Sequence, residues 1–174
     1  NPTLSKKDSL FCRSFSLSVT LFYNDRILSS LHNFLKSQGV ETFDYIFYLH
    51  SNLESAPEDL RDFYEELSKD IEAELFDTPE SLIKNYEENV DDYLSEKLGF
   101  NIFHKTMTQG WLFHLKSIVN FAFEQAQNLL IKKNGELSPL QNKFLDEMQQ
   151  YIMMRCENFM DPNQILEHSF NFRP

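Results

Sequence analysis

The residues best suited to chemistry crowd into one short stretch, "NIFHKTMTQGWLFHL" (101–115), which holds His104, Lys105, Gln109, Trp111 and His114. Histidine, lysine and indole at the entrance to a helix suit a ligand pocket, because such pockets are apolar with a few convergent polar groups. The same residues also suit a turn whose Trp111 anchors the core. Both readings stand. A second concentration is acidic: Glu87, Glu88, Asp91 and Asp92 make two like-charge pairs at i,i+4 spacing, which repel mildly on a helix. They read as ligands for a divalent cation, as a docking site for a basic partner, or as a plain solvated face. "DDYLSE" (91–96) lacks the central glycine and alternating ligands of an EF-hand loop.

Little else supports catalysis. No P-loop, GxGxxG, GxSxG or HExxH motif occurs. The four glycines fall at predicted helix ends, so no phosphate cradle can be built. The Glu-x-x-His motif of di-iron bundles is missing, and Glu167 and His168 are merely adjacent. Cys12 and Cys156 are far apart with no CxxC spacing, which signals neither zinc nor a redox dithiol. Both thiols sit in apolar sequence, where a thiol is inert, and two buried thiols are expected rather than a disulfide. No nucleophile pairs with a histidine by spacing. The expectation is a chain with no catalytic residue, no metal ligand and no cofactor of its own.

The elements that must position these residues are helices. A length of 174 residues suits one domain, and 17 Phe supply a substantial core. Only 4 Gly and 6 Pro leave little material for long loops. The net charge of −11 is concentrated: positions 54–97 hold 16 acidic and 4 basic residues, and the rest of the chain is almost neutral. Such a surface repels phosphate backbones and anionic membranes, so neither nucleic acid nor membrane is an expected partner. No signal peptide and no apolar run of about 18 residues is present, which points to the cytoplasm.

Periodicity predicts about five to six helices in an all-α bundle. "NDRILSSLHNFLKSQG" (24–39) puts Ile27, Leu28, Leu31, Phe34 and Leu35 on one face, with Gly39 to close it. "TFDYIFYLHSNL" (42–53) is short and apolar, with Phe43, Ile46, Phe47 and Leu49 as candidates for a core helix, although so aromatic a run also suits a strand. In 55–76, Ser55 and Glu58 have capping-box spacing, and Leu60, Phe63, Tyr64, Leu67, Ile71 and Leu75 face inward. In 77–99, Thr78 caps, Pro79 opens the helix, and Leu82, Tyr86, Val90, Tyr93 and Leu98 form the stripe before Gly99. Segment 108–135 is apolar over much of its circumference, from Trp111 through Leu130, and reads as the central helix. In 138–161, Ser138 and Gln141 form another box, and Leu140, Phe144, Met148, Tyr151, Ile152 and Phe159 face inward, with Pro162 beyond.

Two segments break the pattern. "SFSLSVTLFY" (14–23) alternates apolar with small polar residues, the signature of a half-buried strand. The tail "ILEHSFNFRP" (165–174) alternates around Phe170 and Phe172, so the two chain ends could pair as a two-stranded ribbon. The competing reading is a helix, because Phe11, Phe15, Val19 and Phe22 also share one helical face. The domain expectation is a single helical unit over 1–174: strand or linker to 23, helical core over 24–160, tail from 161. The first residue is Asn, as expected of a chain processed or excised from a longer one.

Segment 99–130, with Asn101 soon after Gly99, and segment 151–174, with its late Arg155 and aromatic close, resemble the helical C-terminal region of cobalamin-binding radical-SAM enzymes. That resemblance implies an accessory domain helping to shape a substrate pocket built elsewhere. The family's three-cysteine motif is absent, so an iron–sulfur cluster would have to be held outside this chain. Three functions follow as expectations: such an accessory domain, in contact with the remainder of a longer chain; a stand-alone interaction module using its acidic face on a protein partner; or a small-molecule binder centred on Trp111.

Overall fold

A computed structural model of the chain describes residues 4–73, 75–76, 78–95, 102–157 and 167–172. Every regular element among them is helical, and no strand occurs there. The opening segment is helix α1 (Lys6–Val19), continued by one π-helical turn (Thr20–Asn24), and the expected strand is not formed. The physical reason lies in the hydroxyls that mimic the polar face of a strand. Ser16 Oγ donates to the Cys12 carbonyl at 2.8 Å and Thr20 Oγ1 to the Ser16 carbonyl at 3.0 Å, the back-bonding that lets Ser and Thr sit inside a helix. Leu17, Ser18, Leu21 and Phe22 are buried, a helical and not a twofold spacing.

The ribbon partner is not a strand either. Phe170 and Phe172 fold onto the last helix, with Phe144 to Phe170 and Phe172 ring centroids at 5.0 and 5.3 Å. Tyr151 stacks on Phe172 at 5.5 Å. An aromatic side chain gains more from a dry helix face than from an isolated two-stranded ribbon in water.

Helices α2 (Ser29–Ser37), α3 (Thr42–Ser51) and α4 (Glu58–Ala73) follow, then α5 (Pro79–Glu88), α6 (Val90–Leu94), α7 (Ile102–Phe113), α8 (Leu115–Asn134) and α9 (Pro139–Glu157). Among the described residues this makes nine α-helices, not five to six. One extra is α1. The other two arise where expected single helices break, at Asn89 (φ −124°, ψ 23°) and at His114 (φ −119°, ψ 9°). Leu98, Gly99, Asn101, Phe159 and Pro162 lie outside the described residues.

Local signals place several helix ends. Thr78 and Ser81 make a reciprocal capping box on α5, and Ser138 and Gln141 make another on α9. The box expected of Ser55 and Glu58 is not built; Ser55 belongs to a 3-10 turn and donates to the Asn52 carbonyl at 2.8 Å. Gly39 takes φ +70° after α2, and Lys133 caps that turn by donating to the Gln38 carbonyl at 3.0 Å and to the Gly39 carbonyl. Not every glycine ends a helix. Gly110 lies inside α7, where a Cβ would sit 3.0 Å from the Leu21 side chain and 3.3 Å from the Phe63 ring, so a larger residue there would require these side chains to give by a few tenths of an ångström.

The core runs along α8. Ile118, Val119, Phe121, Ala122, Phe123, Gln125, Ala126 and Leu130 are all buried there. α4 contributes Leu60, Phe63, Tyr64, Leu67 and Ile71, the expected inward set, with Leu75 half-buried against it. Trp111 does not belong to this central helix: the break at His114 puts it on α7, half-buried at the edge of the core. Phe43 and Phe47, expected inside, are 66% and 45% exposed, while Ile46 and Leu49 of the same helix are buried. Leu140 is likewise exposed. The thiols are also less buried than expected, Cys12 exposed and Cys156 intermediate, and neither forms a disulfide. No described helix is long and apolar enough to cross a membrane.

Candidate functional site

The five residues of the 104–114 cluster are carried by α7 and the break after it, a helix where a turn was expected. They do not converge. His104 is exposed, and its carbonyl accepts from Thr108 Oγ1 at 2.9 Å. Lys105 and Gln109 lie one turn apart and, with buried Thr106, face Glu66, Lys69 and Asp70 of α4 across a cleft of about 170 Å³. Lys105 Nζ stands 3.6 Å from Asp70 Oδ2, both partly exposed. Such a pair contributes little to stability in water. The cleft is smaller than the roughly 300–1,000 Å³ of ordinary small-molecule sites.

Trp111 points elsewhere, its indole Nε1 donating to Asp25 Oδ2 at 2.6 Å. That bond ties α7 to the loop after α1.

His114 joins a third group. Ser117 Oγ donates to Asp59 Oδ2 at 2.6 Å, and His114 Nδ1 lies 3.3 Å from the same oxygen. These are the residue types of a hydrolase triad in the wrong order. Nucleophilic catalysis needs the imidazole between serine and carboxylate to take the serine proton, and here the carboxylate is in the middle. Its role is to staple the start of α8 to the first turn of α4. Partial burial works against the Asp59 carboxylate, but the bonds from Ser117 and His114, the His114 charge and the Leu60 amide outweigh it and hold its pKa below the ordinary value. A depressed carboxylate contributes stability above its unfolded pKa and loses it as pH falls through the folded one.

The acidic candidates lie on α5 and α6. The break at Asn89 separates Glu87 and Glu88 from Asp91 and Asp92, so the i,i+4 pairs do not share one continuous helix. Lys84 stands 3.6 Å from Glu88 on the exposed surface. Among the described residues no group of three or more potential metal ligands gathers, there or elsewhere. The apolar stripe beside these carboxylates, expected to face inward, is uncovered. Of the expected set Leu82, Tyr86 and Val90 are 36%, 47% and 48% exposed and Tyr93 is half-buried; Ile83 and Leu94, which were not part of it, are 57% and 77% exposed, and neither helix holds a buried residue. Internal order comes from Tyr86 and Tyr93, whose rings meet at 4.4 Å, and from Tyr93 OH donating to Asn85 Oδ1 at 3.2 Å.

Sequence reasoning passed over a buried polar group under α1. Ser18 Oγ lies 2.8 Å from His50 Nδ1 and 2.7 Å from Tyr64 OH. Burial pushes the His50 pKa down, and it pushes the Tyr64 hydroxyl up despite the bond to Ser18. His32 is similar: burial lowers its pKa against the opposing effect of a 2.6 Å bond from Nε2 to the Phe22 carbonyl. Its Nδ1 is buried with no hydrogen-bond partner among the described residues. No periodicity in the sequence could have found these groups, because Ser18, His50 and Tyr64 come from three different helices.

Set against known proteins, the chain matches no family model, no curated protein and no solved structure.

Proposed function

We propose that this chain is a non-catalytic helical module that works by contact with another protein, docking through the α5–α6 arm. The observation that carries the reading is the uncovered stripe of Leu82, Ile83, Tyr86, Val90 and Leu94 beside Glu87, Glu88, Asp91 and Asp92. An amphipathic helix laid into an apolar groove is a recurrent mode of protein recognition, and the carboxylates select a groove rimmed by lysine and arginine. The test compares two arm variants, Leu82→Ser/Tyr86→Ser and Glu87→Gln/Glu88→Gln/Asp91→Asn/Asp92→Asn, in cross-linking of the tagged protein in its own cells. A partner cross-linked by the parent, lost with the first variant and weakened by salt and by the second supports the reading. The same cross-linked set with all three proteins overturns it.

A second reading, an accessory domain of a larger enzyme of radical-SAM type, draws on the α4–α7 cleft. Its charged rim of Glu66, Lys69, Asp70 and Lys105 encloses too little volume to hold a substrate alone, but it suits one wall of a pocket completed by another domain. The coding sequence upstream of Asn1 decides this reading. A cluster- or cobalamin-binding domain encoded there supports it, and an initiator codon immediately before Asn1 ends it.

A further inference from the structure

Residues 6–24, helix α1 with its π-helical turn, are fastened to the bundle by little apolar surface. Only Leu17, Ser18, Leu21 and Phe22 are buried in this segment, and one of the four is polar. Two buried histidines on neighbouring helices supply the remaining polar attachment. His50 of α3 meets Ser18 Oγ at 2.8 Å, and His32 of α2 meets the Phe22 carbonyl at 2.6 Å.

Hydrogen-bond counting shows that neither site has room for another proton. A carbonyl only accepts, so His32 Nε2 carries the hydrogen and Nδ1 keeps its lone pair. That Nδ1 is buried without a partner among the described residues, so a proton added there makes a cation with an unanswered N–H. At His50 every buried hydroxyl is satisfied when Tyr64 donates to Ser18 and Ser18 donates to Nδ1. A protonated Nδ1 reverses that chain. Ser18 must then donate to Tyr64 at 2.7 Å, and the Tyr64 hydroxyl hydrogen loses its acceptor. The titratable groups facing the two rings are tyrosines: Tyr23 of the π turn and Tyr45 of α3 at His32, and Tyr64 of α4 at His50. Burial keeps the Tyr45 and Tyr64 hydroxyls protonated. Among the described residues neither imidazole has an ionised partner to stabilise its charge.

We propose that residues 6–24 form an acid-released latch, which detaches from the bundle when His32 and His50 take up protons. The helices that carry the histidines are held independently of the segment. Tyr45 OH donates to the Ala122 carbonyl at 2.6 Å, tying α3 to α8, and Phe34 meets Phe144 at 4.9 Å, tying α2 to α9. Asp25, held by the Trp111 indole at 2.6 Å, marks where the release stops. Release opens Leu17, Leu21, Phe22 and the apolar surface beneath them to solvent. The direction follows from burial, which lowers both histidine pKa values below 6.5. The released segment leaves both rings free to take up protons first as pH falls below 6.5, so attachment is strongest above that pH and weakens below it. The latch does not involve the α5–α6 arm, and either can fail without the other.

Hydrogen exchange of the full chain at pH 7.5 and 5.0, expressed as protection relative to the intrinsic rate at each pH, tests the proposal. Protection of residues 6–24 should fall roughly tenfold or more at pH 5.0. Amides of α8 open only with the whole molecule, so they lose a similar factor yet stay far better protected. Amides of α5 and α6, whose opening frees neither histidine, should not change. His32→Gln keeps a donor for the Phe22 carbonyl, and His50→Asn keeps an acceptor for Ser18. The double variant should show no pH effect on residues 6–24. Nuclear magnetic resonance of the parent's histidine ring protons is an independent readout, and both rings should titrate over the interval in which protection is lost. Unchanged protection of residues 6–24 at pH 5.0 overturns the proposal. So do equal protection of residues 6–24 and α8, which makes the opening global, and a pH effect that survives in the double variant. Rings that titrate without loss of protection overturn it as well.

Discussion

Helix α8 and the α5–α6 arm invert the usual link between helix signals and burial. The arm has the better start, a Thr78–Ser81 capping box with Pro79 in the first turn, and buries nothing. α8 starts at His114 without a side-chain cap and buries eight residues. Caps and propensity decide where a helix begins, while most of its stability in a protein comes from the apolar surface it covers. α8 is apolar around much of its circumference and so touches α3, α4, α7 and α9 at once. The arm leaves Leu82, Ile83, Tyr86, Val90 and Leu94 exposed among its carboxylates.

The largest effect that separates the two regions is a cavity. Phe121 is fully buried and packs against Phe22 with centroids at 6.4 Å. Phe121→Ala should cost about 3–5 kcal/mol, measured by urea unfolding. Tyr86→Ala in the arm should stay within about 0.5 kcal/mol. Comparable losses at the two positions would mean that the arm is part of the core.

Next in size is the polar group under α1. Ser18→Ala leaves the His50 ring nitrogen and the Tyr64 hydroxyl buried without their shared partner. The expected loss is about 1–3 kcal/mol, by the same unfolding measurement. A neutral result would mean that water replaces the serine hydroxyl.

These positions also mark what could be read in the sequence. The α4 face was legible because five apolar residues recur at helical spacing and all five are buried. Thr78 and Ser138 were legible because capping is local. Ser18 was not: it reads as the polar side of a strand, and its partners lie 32 and 46 positions away. Phe43 could not be told from Phe121 by type, since exposure depends on which helix arrives to cover it. Of the candidate ligand residues, Lys105 and Gln109 share a cleft because they are one turn apart on one helix face. His114 turns to Asp59 because the backbone breaks there, and no residue type announces that break.

A smaller effect depends on pH. Burial holds His32 and His50 neutral, with pKa values below the ordinary 6.5. The unfolded chain takes up these protons first as pH falls below 6.5. Stability therefore declines from there toward the lowered folded pKa values and is fully present above 6.5. Unfolding free energies at pH 7.5 and 5.5 should show the loss, and His50→Gln should shrink the difference. Asp59, whose pKa is depressed, adds its own loss only in stronger acid, below 3.8. A flat profile between 7.5 and 5.5 would show that both histidines stay solvated in the native state.

The smallest expected change in stability tests the arm most directly. Leu82→Ser/Ile83→Ser/Tyr86→Ser removes three side chains that are 36%, 57% and 47% exposed. It should move the unfolding midpoint by less than the Ser18 substitution does, because little area is returned to water. Hydrogen exchange gives the sharper readout. Amides of α5 and α6 should exchange through local opening, far faster than those of α8, whose opening requires the global transition. If α5–α6 amides exchange as slowly as α8, the stripe is covered in the free protein and has no room for a partner. If they exchange fast in the free protein and slow once a partner is bound, the uncovered stripe is the surface that the partner closes.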